Sequence, residues 1–293
     1  MNLLSIRGPR RRDTVDMHAC PILHPRLFTL VGALRRVLPR IAGFRKTGSA
    51  VANMLDSGVD LLLRTDSPLQ ADDRVRMTEF AHAVGACRIS WTDEHGPRGG
   101  SGSEPACTLE PATTWLAGVR VAPPPAAFLQ ASREGEAAIT AAVLGGLPGT
   151  LPRKTRIVEL FAGCGTLTFA LAERARVVAY EGDPAAHDTI RRAIAGRRID
   201  AILRDLARQP LTAKDFAGAA AIVLDPPFGG ALAQIPAVAA SGVARVIYVS
   251  CNPAALSRDA RTLSQAGYKV AAATPIDQFL WSSNVESVTV FTR

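Results

Sequence analysis

The sequence lacks any run of about 18 or more apolar residues, the length a membrane-spanning helix needs, so no segment of it reads as a transmembrane helix. The opening of a secretory signal is missing as well. The short apolar start precedes Arg7, Arg10, Arg11 and Arg12, whereas an export signal places its basic residues first and a longer apolar core after them. The expected location is therefore cytoplasmic, with no membrane partner. Cysteine is scarce and scattered. Cys20, Cys87, Cys107, Cys164 and Cys251 form no CxxC pair, and none stands at metal-ligand spacing from a histidine. That argues against a zinc site and, at this size, against a disulfide scaffold. Internal repeats and long low-complexity tracts are absent too. What remains is a chain of 293 residues with ordinary globular composition, long enough for two compact domains.

The net charge of +8 is all carried by the first 46 residues, where ten Arg and Lys (7, 10, 11, 12, 26, 35, 36, 40, 45 and 46) face only Asp13 and Asp16. The rest is neutral. A basic block joined to a neutral body suits a segment that binds a polyanion; the alternative is a solvated basic face on the helix expected near 25–42.

Two regions differ in rhythm. In the first, apolar residues recur at helical spacing from Pro25 to Ile41, and two β-rich runs flank a hairpin turn at Asp56-Ser57-Gly58. A helix is expected over 71–86 and a strand over 87–91, followed by a glycine-rich loop at 93–105. Three consecutive prolines, Pro123 to Pro125, cannot continue a helix or a central strand, which places the boundary near residue 125. The expected division is an α+β N-terminal, substrate-binding region at 1–125, basic over 1–46, and a second domain at 126–293. In the latter, after a helix over 132–147, short apolar β-rich runs alternate with helices, one of them near Ala231. That alternation indicates a parallel sheet covered on both faces. Ligands of such sheets sit beyond the carboxyl ends of the strands, where the strand order reverses.

The residues that follow the expected strands carry the chemistry. Strand 156–160 runs into Phe161-Ala162-Gly163-Cys164-Gly165-Thr166, where the glycines permit a sharp turn close to a ligand. The next strand ends in Glu181, 18 residues after Gly163, a suitable place to hold the two ribose hydroxyls of an adenosine. The third glycine of a dinucleotide site is missing, since that position is Thr168, and further strand ends bring Asp205 and Asp225. A pocket lined with carboxylates fits a cation without phosphate, such as S-adenosyl-L-methionine, better than NAD.

Two further segments bear on the reaction. Cys251 follows an apolar strand and precedes a helix that starts with Asn252 as cap and Pro253 in its first turn. The positive helix end is expected to lower the thiol's pKa and favour the thiolate. Cys164 reads as a space filler inside the glycine turn, and Cys20, Cys87 and Cys107 as structural. Glu286 opens an apolar β run, where a carboxylate is out of place unless it has a task or a partner.

Gln130 in FLQAS, ELFAGCGT, DPP, YVSCNPAALSRD and NVESVTVF occur in the order found in the RNA 5-methyluridine methyltransferases. The sequence resembles that family firmly over 126–293 and less specifically before it, and is most similar to the members that modify uracil C5 in 23S rRNA. The resemblance implies a class I (Rossmann-like) methyltransferase domain of α/β fold with a mainly parallel sheet, preceded by a smaller α+β domain. It implies Cys251 as nucleophile and Glu286 as base. Gln130, Phe161, Gly163, Gly165, Thr166, Glu181, Asp205 and Asp225 would line the S-adenosyl-L-methionine site, and no metal is called for. The substrate would be RNA, ribosomal in preference to transfer RNA.

The match is incomplete in two places. Phe228 follows Asp225-Pro226-Pro227 where many members have arginine. DPPF also resembles the motif by which amino-methylating enzymes hold an exocyclic nitrogen, so an N-methyltransferase acting on adenine or guanine is the alternative. The RNA-binding β-barrel and four-cysteine iron–sulfur motif of larger members have no counterpart here, so no cluster is expected and a catalytically silent RNA-binding relative is a third reading.

Overall fold

The computed structural model describes residues 17–93, 102–152 and 154–293. Arg7 and Arg10 to Arg12 of the basic block, and most of the glycine-rich loop, lie outside the described residues. The chain divides into two compact units, one comprising Met1–Thr114 with Ala122–Ala127, the other Trp115–Val121 with Phe128–Arg293.

The first unit is α+β. Its strands β1 (Gly48–Leu55) and β2 (Gly58–Thr65) form the antiparallel hairpin expected around residues 56–58. From β2 the chain crosses through a helix to β3 (Ala86–Asp93), which pairs parallel with β2, and β4 (Glu104–Thr108) closes the other edge. Two helices, α1 (Pro25–Val37) and α2 (Ala71–Val84), supply apolar residues to the core, where Leu30, Leu34 and Met77 meet Leu61, Leu63, Ile89 and Trp91. Burial forces every polar group in that core to find a partner. The Trp91 indole N–H donates to the Ser67 carbonyl at 3.2 Å, and Arg88 forms two 2.8 Å hydrogen bonds to the buried Asp60 carboxylate.

The second unit contains a short hairpin of β5 (Thr114–Leu116) and β6 (Val119–Val121) and a seven-stranded sheet. The sheet's strands are β7 (Arg156–Leu160), β8 (Arg176–Glu181), β9 (Ile199–Leu203), β10 (Ala219–Leu224), β11 (Arg245–Ser250), β12 (Lys269–Ile276) and β13 (Glu286–Thr292). Their order is β12-β13-β11-β10-β7-β8-β9. Only β13 is reversed, pairing antiparallel with both β11 and β12. Helices α3 (Arg133–Gly146), α4 (Thr166–Ala172), α5 (Pro184–Ala193), α6 (Ile235–Ala240) and α7 (Pro253–Gln265) alternate with the strands. The central strands are buried along their length, Val158, Ile222, Leu224 and Val246 being inaccessible to solvent, as continuous apolar strands covered on both faces must be.

Chain order reverses between β7 and β10. From β7 the chain builds outward to β8 and β9, then returns to the other side of β7 with β10 and β11. The crevice that this reversal opens lies at the carboxyl ends of β7 and β10.

The Asp60–Arg88 pair gives a test of the first unit. Removing Arg88 leaves the Asp60 carboxylate, 1% exposed, without its counter-ion, so Arg88→Ala is expected to cost about 3 kcal/mol of stability. Chemical denaturation followed by circular dichroism measures it; a change within experimental error would show that the pair contributes nothing.

Candidate active site

The glycine turn after β7 occupies the crevice. Gly163 has φ +56° and Gly165 φ +100°, the left-handed conformation that glycine adopts without steric cost. Phe161 takes φ +63° despite its side chain, a strained arrangement of the kind that surrounding structure must enforce. Thr166 begins α4 and is partly buried. Glu181, at the end of β8, anchors the turn: one of its oxygens accepts the Gly163 N–H at 2.6 Å, and the other accepts those of Gly182 and Asp183 at 2.8 and 2.7 Å. Asp205 lies beside this segment, for a Cβ on Gly182 would come within 3.3 Å of the Asp205 Cα. Its exposed carboxylate caps the N–H groups of Ala207 and Arg208 and does not face inward among the other acids.

Glu159 lies beneath the turn, in the middle of the apolar run of β7. It is 2% exposed and one of its oxygens has no hydrogen-bond partner. Burial, reinforced by the charges of Asp225 and Glu181, pushes its pKa up to about 8. Asp225, just after β10, is pushed up to about 7, first by burial and then by Glu286.

Asp225 and Glu286 are joined through two glutamines. Gln278 donates from its amide nitrogen to the Gln130 side-chain oxygen and to a Glu286 carboxylate oxygen, both at 3.0 Å, and Gln130 reaches Asp225 at 3.5 Å. Gly135 in α3 makes room for this arrangement, since a Cβ there would approach the Gln278 side-chain oxygen to 2.5 Å. Glu286 is only 5% exposed, and burial raises its pKa. Gln130, Asp225 and Glu286 thus meet through one further residue, Gln278, which sequence reasoning had not singled out. Its signal was an amide between charged Asp277 and apolar Phe279, too common a pattern to single out.

Cys251 stands at the end of β11, next to β13, where Ser250 pairs with Ser287. Asn252 caps α7 as expected, its side-chain oxygen accepting from Ala254 and Ala255 at 3.1 and 3.3 Å. The expected lowering of the thiol pKa does not occur. Burial pushes the Cys251 thiol up, and the charges of Glu286 and Asp225 push it further. The reason is positional. The N–H groups at the helix start are occupied by Asn252, while reversed β13 brings a carboxylate to the thiol. Cys164 is buried and pushed up to about 12, mainly by desolvation, which matches its reading as an inert filler.

A seven-stranded sheet with one reversed strand next to its edge, a glycine turn at the switch point and acidic residues at successive strand ends define a class I methyltransferase fold. The solved tRNA (uracil-54, C5)-methyltransferase of Pyrococcus abyssi, in complex with S-adenosyl-L-homocysteine, has the same fold: TM-score 0.70 at 17% identity, over 96% of this chain and 70% of that one. Residues 149–293 match the tRNA (uracil-5-)-methyltransferase family. An uncharacterized RNA methyltransferase of Mesorhizobium japonicum is 35% identical over 96% of this chain. The 23S rRNA (uracil(1939)-C(5))-methyltransferase of Salmonella choleraesuis is 30% identical over 99% of it. The chain spans 66% of the length of each of these two relatives, and 69% of that of a Caulobacter vibrioides RNA methyltransferase to which it is 34% identical. The chain belongs to the RNA uracil-5 methyltransferase family, whose members use S-adenosyl-L-methionine.

Two predictions follow from the electrostatics. Folded Glu159 keeps its proton to about pH 8 while the unfolded chain loses it near the ordinary carboxylate value of 4.5, so its stabilising effect is complete below that lower pH and fades as pH rises towards 8. Glu159→Gln should flatten this alkaline loss in a series of thermal melts; identical melting profiles would remove Glu159 as its source. Because Glu286 raises the Cys251 thiol, Glu286→Gln should shift the pH profile of Cys251 alkylation by iodoacetamide to lower pH. An unmoved profile would show that the two groups do not sense one another.

Proposed function

We propose that this protein methylates C5 of a uridine in RNA, with Cys251 as nucleophile and Glu286 as base. The observation that carries the reading is the meeting of Cys251, Glu286 and Asp225 at one end of the sheet, where β11 and β13 pair at Ser250 and Ser287 and two glutamines link the carboxylates. Methylation of an exocyclic amine requires neither a thiol nor a buried base, so the DPPF reading would leave both without a task.

The donor set suits S-adenosyl-L-methionine. Glu159 and Asp225 are carboxyls that their surroundings hold largely without compensating cations, and a sulfonium with an ammonium group is a phosphate-free ligand that such a cluster would favour. Gln130, Phe161, Gly163, Gly165, Thr166, Glu181 and Asp225 would hold it, with Asp205 at the margin. When bound, it supplies the methyl group that C5 receives.

Uracil C5 is a poor nucleophile. Addition of the Cys251 thiolate to C6 forms a carbon–sulfur bond and moves the ring's electron pair to an enolate that is nucleophilic at C5. After C5 has been methylated, Glu286 removes its remaining proton, and the returning electron pair expels Cys251 from C6. Gln278 holds the Glu286 carboxylate by a 3.0 Å hydrogen bond and so fixes the base in place. The target nucleotide must leave its stack to reach these groups, which favours a loop or single-stranded segment. The preferred substrate is 23S rRNA, by likeness to the Salmonella enzyme. The first unit would take the RNA-substrate role and the second the methyl transfer.

The test is covalent trapping. RNA that contains 5-fluorouridine has no C5 proton for Glu286 to remove, so it should form an adduct that survives denaturation, lost in Cys251→Ala. Glu286→Gln should accumulate the corresponding adduct on ordinary RNA. Methyl transfer by Cys251→Ala at the native rate, or a product methylated on nitrogen, would reject the proposal.

A further inference from the structure

Two exposed aromatic side chains stand in loops joined to the strands on either side of β11, which leads to Cys251, and the chemistry of the thiol and the base uses neither. Trp281 is 86% exposed and Phe228 is 64% exposed. Strand order sets their places. β11, which leads to Cys251, lies between β10 and β13. Phe228 follows β10, and its carbonyl accepts a hydrogen bond from the Asn252 side chain at 2.8 Å, while Arg258 donates to the Gly229 carbonyl at 3.0 Å. That loop is therefore fastened to the turn that carries Cys251. Trp281 lies on the other side, in the connection from β12 to β13, which leaves and re-enters the sheet at the pair Ile276 and Glu286.

The Trp281 backbone is in the left-handed region, with φ +64°, in a turn closed by the Ser282 N–H donating to the Phe279 carbonyl at 3.0 Å. A bulky residue rarely adopts this conformation. The strain and the exposure of the indole gain nothing from packing within the chain. Neither loop carries charge: residues 226–233 and 278–285 contain no Lys, Arg, Asp or Glu. These loops cannot hold phosphate by ion pairing. What they offer a ligand is ring faces and apolar surface, including Leu232 and Leu280.

We propose that Trp281, with Phe228 on the other side of β11, forms a stacking platform for the bases adjoining the target nucleotide in single-stranded RNA. This inference rests on the RNA reading above. When a nucleotide is drawn out of its stack, its neighbours lose a partner, and an aromatic face replaces that contact whatever the base. Trp281 is thus a positioning residue, without a part in bond making.

The test uses the full chain in a Cys251→Ala background, so that binding is read without an adduct. Titration with oligouridylate should quench tryptophan emission, because Trp281 is the most exposed of the three tryptophans and Trp91 is fully buried. By fluorescence polarisation of a labelled oligouridylate, Trp281→Ala should weaken RNA binding about tenfold, the scale of one base–aromatic stack. Trp281→Phe should keep most of the affinity, and phenylalanine in place of the indole should abolish most of the quenching. In the enzyme with Cys251 intact, Trp281→Ala should raise KM for RNA with kcat unchanged. Unaltered affinity in Trp281→Ala, or no rescue by phenylalanine, would overturn the proposal. Failure of 5-fluorouridine trapping alone would count against the thiol chemistry and leave the stacking result to stand by itself.

Discussion

Negative charge gathered where little solvent reaches it is the constraint on which the second unit's site depends. Glu159, Glu181, Asp225 and Glu286 come from four strands or strand ends and share one end of the sheet. Three of them are held back from ionising, Glu159 to about 8, Asp225 to about 7, and Glu286 by its burial. Glu181 is accommodated differently, by three backbone N–H groups of the loops it links. The same congestion reaches Cys251, whose thiol is harder to ionise because of it. A site arranged in this way is electrostatically incomplete in itself, and complementary to a positively charged ligand.

The amide pair Gln130 and Gln278 makes this tolerable. Amide N–H groups stabilise a carboxylate without adding a formal charge, so the Glu286 carboxylate can be fixed in place while the cluster keeps its overall sign. A lysine in their place would form ion pairs, and would compete with the cation that the cluster suits. The small Gly135 in α3 is part of the same solution, since any side chain there would displace Gln278.

Much of this was legible in the sequence because it depends on local pattern. The run RIVEL, its glycine turn and the helix at Thr166 occur as expected, and so does the Asn252 cap. The sheet class followed from alternation alone. The helix expected near Ala231 is regular from Ile235, after a turn in which Gln234 and Ile235 donate to the Ala231 carbonyl at 2.8 Å. Two features were not legible, each for a reason of tertiary structure. The Cys251 thiol is raised where helix polarity argues for lowering, because a strand distant in sequence delivers Glu286 to it. Asp205, one of a series of acids at strand ends, turns its carboxylate to its own backbone. A residue's place along a strand is set by neighbours in sequence, whereas its direction and charge environment are set by neighbours in space.

The placement of β13 inside the sheet has a consequence for biosynthesis. Six of the seven strands precede Glu286–Thr292 in the chain, and β13 then enters between two of them, β11 and β12. Until it does, the border of β11, rich in Val, Ile and Tyr, has no partner on that side and invites wrong ones, so the chain passes through a vulnerable interval that closes when β13 inserts. Glu286 arrives with β13, so its meeting with Gln278 and its place beside β11 wait for the sheet's last strand in chain order to insert.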